Sequence, residues 1–523
     1  MKNIVNKYDH VEIYKNTIFL FILLNLVIAE NHNTGCIIAN NRDIVRNEYT
    51  LPSQIESEHF IIHYTTSNVD SQFVNNQWFN LQVNDGFAQS ILDLLESTLM
   101  IFVENDWVYP PPDFDESITD INSAEHCINF GGNSLYDVYL ANEAVGMVVP
   151  ETPYPVEPYT GGYTSYMKIS TFLNAYDSLP SWAEHVVAHE LHHAIQMRYG
   201  YSVSGSPGNY MYNGWFFEQS ATYMENVIFT NSIHLLTMLS NCNVTTPLTY
   251  TEYGVDYPAD LYQYRSALWQ KYLVESYNDS SIVRILWENY GLEYSTGNPV
   301  SLFPIYNDAI EQVSQGNKTL SDAFSEYAIW RYFTGDRAIP GQYFNEASSY
   351  CTASIIDTTD NPISFFSETG GMYLFDLPLY EFDMTISSPY FNNLNATTLT
   401  IGTNNEIIIN DLPLNAENSL FTNYNLSEYP QALIINSDYT GTPTSQVTFS
   451  IILNEIQLIG DINDDSQVDV LDVVQLIEYI FLYASDDSFY YLFEEEFINS
   501  DINMDLDLNV MDIVLLVNII LGN

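Results

Sequence analysis

Two histidines four residues apart, with a glutamate directly after the first, are the residues whose types and spacing most clearly indicate chemistry. His189, Glu190 and His193 form the pattern H-E-x-x-H. Residues four apart lie on one face of an α-helix, so the two imidazoles can reach one metal ion. Glu190 lies about 100° round the same helix, where it can accept a proton from a water on that ion. The pattern predicts a metal-dependent hydrolase with Glu190 as the catalytic base.

The residues around this pattern are typical of a helix. Ser181 and Glu184 have the spacing of a capping box at its start, and Gly200 is a plausible stop. Two further histidines, His185 and His192, lie in the same run, so a ligand pair that includes His185 is an alternative. Only His189 and His193 flank a glutamate in the arrangement that the chemistry requires.

A third protein ligand is expected, because catalytic zinc takes three and leaves one position for water. Residues 215–225 (WFFEQSATYME) begin 22 positions after His193 and are predicted to form a second helix. Glu218 is the candidate ligand. The alternative is that this run is only a solvated acidic helix face.

The second helix has the pattern W-x-x-E-x-x-A-x-x-x-E and resembles that of gluzincin metallopeptidases, in which a glutamate on a helix after H-E-x-x-H is the third zinc ligand. The resemblance implies this role for Glu218 and a supporting contact to the zinc ligands for Glu225. Gluzincin aminopeptidases carry a G-x-M-E-N strand before the zinc helix, and no such motif precedes His189. An endopeptidase is therefore favoured over an exopeptidase. Thr222 replaces the aspartate of thermolysin-like members.

Hydrolysis of a peptide by zinc also needs a group that stabilises the oxyanion. Four residues after the second helix qualify by type, and the sequence does not choose among them. They are Tyr262, Tyr264, Arg265 and His234.

The N-terminus is predicted to be an export signal. Three lysines precede an apolar run at residues 18–29, which is too short to span a bilayer, so cleavage after Ala29 is expected. An uncleaved anchor is the alternative. Residues 30–57 are expected to be a linker or propeptide. The protein is predicted to be secreted or extracellular, with attachment to the cell surface as a further option, and a membrane is expected as a partner only if the anchor is uncleaved.

The charge is strongly acidic, with 67 Asp and Glu against 13 Lys and Arg and a net charge of −54. Nucleic acid and anionic membrane are excluded as partners, because both need basic patches. A saline habitat or calcium binding is favoured over a preference for cationic peptides. The four cysteines, Cys36, Cys127, Cys242 and Cys351, predict one or two disulfides in an exported chain, and all three pairings stay open. A role for Cys36 in capping the zinc is a further alternative.

Residues 58–340 are predicted to form an α+β metallopeptidase domain of zincin type. Strands are expected at 60–64, 136–141 and 165–170, with a helix at 86–103 and helices at 262–277, 281–290 and 321–333. The segment at 165–170 (SYMKIS) is predicted to be the edge strand that pairs with substrate. The order of elements over residues 58–334 also resembles a family of secreted bacterial proteins regarded as metallopeptidases.

Residues 341–457 contain short strand-like runs separated by turn residues, which predicts an antiparallel β-sandwich accessory domain.

Residues 458–523 contain a repeated acidic loop followed by an apolar helix. Oxygen-bearing residues stand at positions 1, 3, 5, 7, 9 and 12 of each loop, the arrangement that binds calcium. The first loop has Asp461, Asn463, Asp465, Gln467, Asp469 and Asp472 there, and the second has Asp501, Asn503, Asp505, Asp507, Asn509 and Asp512.

The repeat resembles a type I dockerin, which implies a small all-α domain with two structural calcium ions and a cohesin-type partner. Val470-Leu471 and Val510-Met511 replace the Ser-Thr recognition pair of many dockerins.

Together these features predict a secreted endopeptidase with one catalytic zinc, a peptide or protein substrate and a calcium-dependent docking domain. The alternative is a catalytically inactive adhesion or scaffold protein that uses calcium only.

Overall fold

The computed structural model describes residues 37–38, 51–74, 76–112, 134–142, 144–176, 182–201, 210–258, 261–356, 363–377, 382–388, 391–401, 406–412, 432–439, 447–455, 459–463, 465, 467–483, 499–503 and 507–521. The predicted signal at residues 1–29, Cys36, Cys127, Ser181 and Asp505 lie outside the described residues.

The described chain divides into two compact units. One comprises the described residues of Met1–Ser354, Glu368–Met372 and Tyr439–Ser445, and the other those of Ile355–Ser367, Tyr373–Asp438 and Gln446–Asn523. The chain is therefore multidomain. The first unit continues past residue 340, the predicted end of the catalytic domain.

The first unit is built on a mixed six-stranded sheet. Its strands are β1 (Ile37–Ile38), β2 (Ser53–Glu56), β3 (Phe60–Tyr64), β6 (Tyr136–Leu140), β7 (Gly146–Val156) and β8 (Tyr159–Ile169), in the order β1-β7-β8-β6-β3-β2. The neighbours β3, β6 and β8 are parallel, and β7 is antiparallel to β8. A separate hairpin consists of β4 (Ser71–Val74) and β5 (Gln77–Asn80).

The prediction that residues 165–170 form an edge strand is wrong. This segment belongs to β8, where Met167 pairs with Val138 of β6 on one side and with Val148 of β7 on the other. The strand at the edge on that side is the two-residue β1, which pairs with only Met147 and Val148 of β7. The three prolines of β7, Pro150, Pro153 and Pro155, are more typical of a loop than of a strand. Proline is nevertheless compatible with a strand near a sheet edge. The register shifts of β7 lie between Pro150 and Pro153 and between Tyr154 and Val156.

The first helix, α1 (Asp85–Glu104), packs against the sheet. Its N-terminus is capped by Asn84, whose side chain accepts a hydrogen bond from the amide of Phe87, and one face from Phe87 to Phe102 is buried. With a mean hydropathy of 1.4, α1 is long and apolar enough to cross a membrane. Its contacts with β3 and with the helix at Trp182–Tyr199 are those of a core helix in this unit.

The remainder of the first unit is mostly helical. The helices are α2 (Trp182–Tyr199), α3 (Tyr210–Ile228), α4 (His234–Leu239), α5 (Tyr262–Arg265), α6 (Ala267–Tyr277), α7 (Ser281–Ser295), α8 (Leu302–Val313) and α9 (Leu320–Tyr332). The single helix predicted at residues 262–277 is thus two helices separated at Ser266. A disulfide joins Cys242 and Cys351.

Among its described residues, the second unit contains two sheets and two α-helices. The strands are β9 (Ile363–Ser367), β10 (Met372–Asp376), β11 (Phe382–Ser387), β12 (Leu394–Ile401), β13 (Ile407–Leu412), β14 (Ala432–Ser437) and β15 (Val447–Glu455), in the orders β10-β14-β12-β13 and β11-β15-β9. One buried cluster contains Met384 of the second sheet together with Phe375 and Leu433 of the first.

The C-terminal helices α10 (Val470–Tyr483) and α11 (Val510–Ile520) pack around a small core of their own. The core contains Ile462, Leu476, Leu508 and Leu516. Leu476 and Leu516 stand 40 positions apart, as do Asp472 and Asp512, so equivalent residues of the repeat occupy equivalent places.

Candidate metal centre

The candidate site lies where α2 packs against α3. From His185 to Tyr199 every residue of α2 is buried, and the polar residues of α3 from Glu218 to Thr222 are buried as well. A helix that is buried all round places charged and polar groups in the interior, where each one needs a partner. The partners of these groups define the site.

Three potential metal-ligand atoms from the two helices converge on one point. The Nε2 atoms of His189 and His193 lie 3.0 Å apart, and each lies 3.2 Å from Oε2 of Glu218. All three side chains are buried. Among the described residues they are the only group of three or more His, Cys, Asp or Glu ligand atoms within 4.8 Å of one another.

The spacing of these atoms suits a tetrahedral metal site. Ligand atoms bound to zinc at about 2.0–2.1 Å in a tetrahedron lie roughly 3.3 Å apart. Burial alone would raise the pKa of the Glu218 carboxyl, but the imidazoles of His193 and His189 lower it to about 2. Glu218 is therefore a carboxylate at neutral pH, as a metal ligand must be.

The hydrogen bonds of His193 fix which of its nitrogens faces that point. Its Nδ1 lies 2.7 Å from Oε1 of Gln196. The amide nitrogen of Gln196 donates to the Phe217 carbonyl and to the Ser220 hydroxyl, so the Gln196 oxygen is free only to accept. Nδ1 of His193 then carries a hydrogen, so in the neutral imidazole Nε2 presents a lone pair toward that point.

His189 is oriented in the same way by Glu225. Its Nδ1 donates to Oε1 of Glu225 at 2.9 Å, and Nδ1 of His234 donates to the other oxygen at 2.7 Å. Burial would raise the pKa of the Glu225 carboxyl, whereas His234 and His189 lower it to about 2. Glu225 is ionised and holds His189 with its Nε2 lone pair turned inward.

The consequence is electrostatic. The two imidazole lone pairs and the Glu218 carboxylate oxygen are all acceptors, and they face one another within 3.2 Å in the protein interior. When both imidazoles are neutral, such a cluster of acceptors is unfavourable unless a proton or a metal cation lies between them. The donor set of two imidazoles and one carboxylate fits zinc.

The other two histidines of α2 point elsewhere. Nδ1 of His185 lies 3.0 Å from the Ser232 hydroxyl, and its ring stacks on His234. His192 packs between Phe102 and Trp107, where burial holds its pKa well below the usual value. The alternative ligand pair that uses His185 is not the pair that the structure brings together.

Glu190 lies beside the first residue of β7. A Cβ atom placed on Gly146 would come within 2.5 Å of Cγ and Oε1 of Glu190. The absence of a side chain at Gly146 thus makes the space that the Glu190 carboxylate occupies. Sequence reasoning missed both Gly146 and Gln196, since neither belongs to the H-E-x-x-H pattern.

The oxyanion candidates separate into different positions. The Tyr264 ring stacks on His189, with the ring centroids 5.9 Å apart. The Tyr262 hydroxyl instead donates to the Tyr253 carbonyl at 3.4 Å, and Arg265 donates to the Thr245 carbonyl at 2.9 Å. His234 supports Glu225. Of the four, Tyr264 has its ring against a ligand of the candidate centre.

The two C-terminal loops are arranged around their last aspartates. The amides of Ile462 and Asn463 donate to one oxygen of Asp472, and the amide of Asp469 donates to the other. In the second loop, the amides of Asn503 and Asn509 bond Asp512 in the same way. Within the described chain, the carboxylates of these loops are not drawn together as closely as the three metal-centre donors.

Comparison with known proteins gives one match. Residues 165–334, about a third of the chain, match the model of DUF6055, a family of unknown function. The match includes both helices of the candidate centre, with His189, Glu190, His193, Glu218 and Glu225, but it does not include Gly146. No curated protein matches the chain, and no solved structure matches it.

Proposed function

We propose that this chain is a secreted zinc-dependent endopeptidase of the gluzincin type. The observation that carries the proposal is the convergence of three acceptor atoms, from His189, His193 and Glu218, with both histidines fixed in the tautomer that turns Nε2 inward. A cation bound between the three atoms would stabilise such a site. The H-E-x-x-H spacing adds a glutamate at the position of a general base.

The residues of the site divide the work of hydrolysis. His189, His193 and Glu218 would hold the zinc ion, which would supply Lewis-acid polarisation of the scissile carbonyl and a lowered pKa of the attacking water. Glu190 accepts the proton of that water and returns it to the departing amine. Tyr264, whose ring lies against His189, is the candidate for stabilising the oxyanion. Glu225 and Gln196 hold the two imidazoles in place.

The C-terminal repeat is proposed to be a dockerin-like domain that binds two structural calcium ions and a cohesin-type partner. In each loop, backbone amides order the last aspartate, as expected of a loop built to wrap a cation. At the recognition positions, Val470, Leu471, Val510 and Met511 are all more than half exposed. Apolar side chains in these places favour a partner with an apolar contact surface. The strands of the second unit are proposed to form a sandwich-type accessory domain.

The test compares the wild type with Glu190→Gln in zinc content and in casein cleavage. The proposal predicts that both bind zinc equally and that only the wild type cleaves, because the general base contributes roughly 10²–10⁴-fold to the rate. Equal cleavage by both proteins would show that Glu190 is not the base. Calcium binding without zinc and without cleavage would favour an inactive adhesion or scaffold protein.

A further inference from the structure

The hairpin β4–β5 presents two aromatic rings to solvent. Phe73 and Trp78 are directly paired across its strands, so both side chains lie on one face, with ring centroids 5.2 Å apart. They are 54% and 66% exposed. We call Phe73 and Trp78 the aromatic face. Large aromatic side chains left this exposed in adjacent positions indicate a binding surface.

The opposite face of the hairpin is anchored to the body of the first unit. Gln72 is buried, and its side-chain oxygen accepts a hydrogen bond from the backbone amide of Asn142 at 2.8 Å. Phe79 packs edge-on against Phe172. The hairpin is therefore held in one orientation, with the aromatic face turned outward.

A series of hydrogen bonds connects this anchor to the residue before Gly146, which lies next to Glu190, the candidate catalytic base. The Asn142 side-chain oxygen accepts hydrogen bonds from the Ser170 hydroxyl and the Thr171 amide, and the Ser170 amide donates to the Val145 carbonyl. The residue after Val145 is Gly146, whose Cα faces Glu190. The hairpin thus lies at the end of the sheet where Glu190 lies.

The composition of the hairpin indicates the chemistry of its ligand. Residues 71–84 (SQFVNNQWFNLQVN) contain no charged side chain, in a protein with a net charge of −54. Binding at the aromatic face would therefore rest on apolar contact rather than on charge. The planes of the two rings differ by 49°, so they do not form the flat platform on which a sugar ring would stack.

We infer that the aromatic face binds aromatic or large aliphatic side chains of an extended polypeptide substrate, at a distance from the bond that is cleaved. The inference rests on the proposed peptidase function and narrows its substrate class to unfolded or flexible proteins with exposed apolar residues. A short peptide reaches only the metal centre, whereas a long chain engages both sites.

The experiment uses the full chain with Phe73→Ser and Trp78→Ser combined. The control is Ile408→Ser with Ile409→Ser, which removes two partly exposed apolar side chains from the other unit. Binding of dephosphorylated casein is measured in the Glu190→Gln background at high salt, where no turnover occurs and charge effects are screened. The aromatic variant is expected to bind at least tenfold more weakly, and the control to bind as the parent does.

In the active enzyme, the same variant is expected to raise KM for casein at least tenfold, with kcat unchanged and cleavage of a blocked hexapeptide unaffected. Unchanged casein binding, or an equal loss in the control, would overturn the inference. Binding to neutral phosphatidylcholine vesicles and to cellohexaose is measured as well. If the aromatic variant loses binding only to the vesicles or only to cellohexaose, the inference is overturned, because the aromatic face would then bind lipid or glycan. If the wild type cleaves neither substrate, the proposed function fails, while casein binding in the Glu190→Gln background still decides the role of the face.

Discussion

Replacing Gly146 with alanine should disable the base without disturbing the metal ligands. The new Cβ would lie 2.5 Å from Cγ and Oε1 of Glu190 and 2.7 Å from its Cδ, distances that real Cβ contacts do not show. Gly146 has no left-handed backbone, so alanine is compatible with its local conformation, and the three closest atoms to the added Cβ all belong to Glu190. The carboxylate must move, because the side chain is the more flexible partner.

The expected loss in kcat follows from the role of the displaced group. A general base contributes roughly 10²–10⁴-fold, so Gly146→Ala should lower kcat by about 10² or more. Overpacking of this kind costs about 1–3 kcal/mol of stability, which leaves the protein folded. Zinc content should stay the same, since the three atoms nearest to the added Cβ belong to Glu190 and none belongs to a proposed zinc ligand. Rates of casein cleavage, zinc content and thermal unfolding are measured on the same preparations.

A double-mutant cycle separates displacement of Glu190 from general damage. In the Glu190→Gln background, Gly146→Ala should lower the residual rate little further, because the base is already gone. Gly86→Ala is the control: its added Cβ would lie 3.2 Å from Oδ1 of Asn84, the N-cap of α1, and would meet no atom of Glu190. The reasoning is refuted if Gly146→Ala leaves kcat unchanged, or if its effect multiplies fully with that of Glu190→Gln.

Three further predictions follow from the contacts around the centre. Glu225→Gln should weaken zinc affinity roughly 10- to 100-fold in a chelator titration, because it removes the ionised partner of His189. Burial lowers the pKa of His185 from 6.5 to about 4, so the folded state keeps it neutral while the unfolded state takes up a proton. The contribution of this group to the free energy of unfolding is fully present above pH 6.5 and is lost as the pH falls toward 4, by about 3 kcal/mol at most. In His185→Gln, the free energy of unfolding should therefore depend less on pH between 6.5 and 4. Cys242→Ser combined with Cys351→Ser removes a disulfide between positions 109 residues apart. The double variant should have a free energy of unfolding lower by about 2–5 kcal/mol in denaturant titrations.

Each of these has an outcome that contradicts it. Unchanged zinc affinity in Glu225→Gln would mean that His189 does not depend on that carboxylate. A denaturation profile of His185→Gln with the wild-type slope between pH 6.5 and 4 would assign the acid sensitivity to other groups. Equal stability of the double serine variant and the wild type would show that packing around Cys351 suffices.

The candidate metal centre was predictable from sequence to the extent that it is local. His189 and His193 are one helical turn apart, so periodicity alone puts them on one face. The strand at β3 and the helix at α1 were also predicted correctly, because alternation and helical spacing are properties of short windows.

The positions of the other residues of the candidate site could not be predicted, because they depend on tertiary contacts. Gly146 and Glu190 are 44 positions apart, and nothing in either local sequence indicates that they touch. Gln196 follows His193 by three positions on a helix buried all round, where a polar residue is itself a signal that could have been used. Tyr262 and Tyr264 are equivalent by residue type. Only the packing of the fold places the Tyr264 ring against His189 and directs the Tyr262 hydroxyl to the Tyr253 carbonyl.

The edge strand was misassigned for a related reason. The segment at residues 165–170 has the alternation of a strand, but that alternation does not reveal whether a strand has one neighbour or two. Its second neighbour, β7, was hidden by Pro150, Pro153 and Pro155, which lower the strand propensity of that segment.

The most direct test of the central claim is the zinc content of the purified full chain after dialysis against a weak chelator. Wild type and Glu190→Gln are predicted to retain about one zinc per chain, whereas Glu218→Gln is predicted to lose it, because one of three protein ligands becomes a neutral amide. A wild-type protein without zinc, or a Glu218→Gln variant that retains as much zinc as the wild type, would contradict the account.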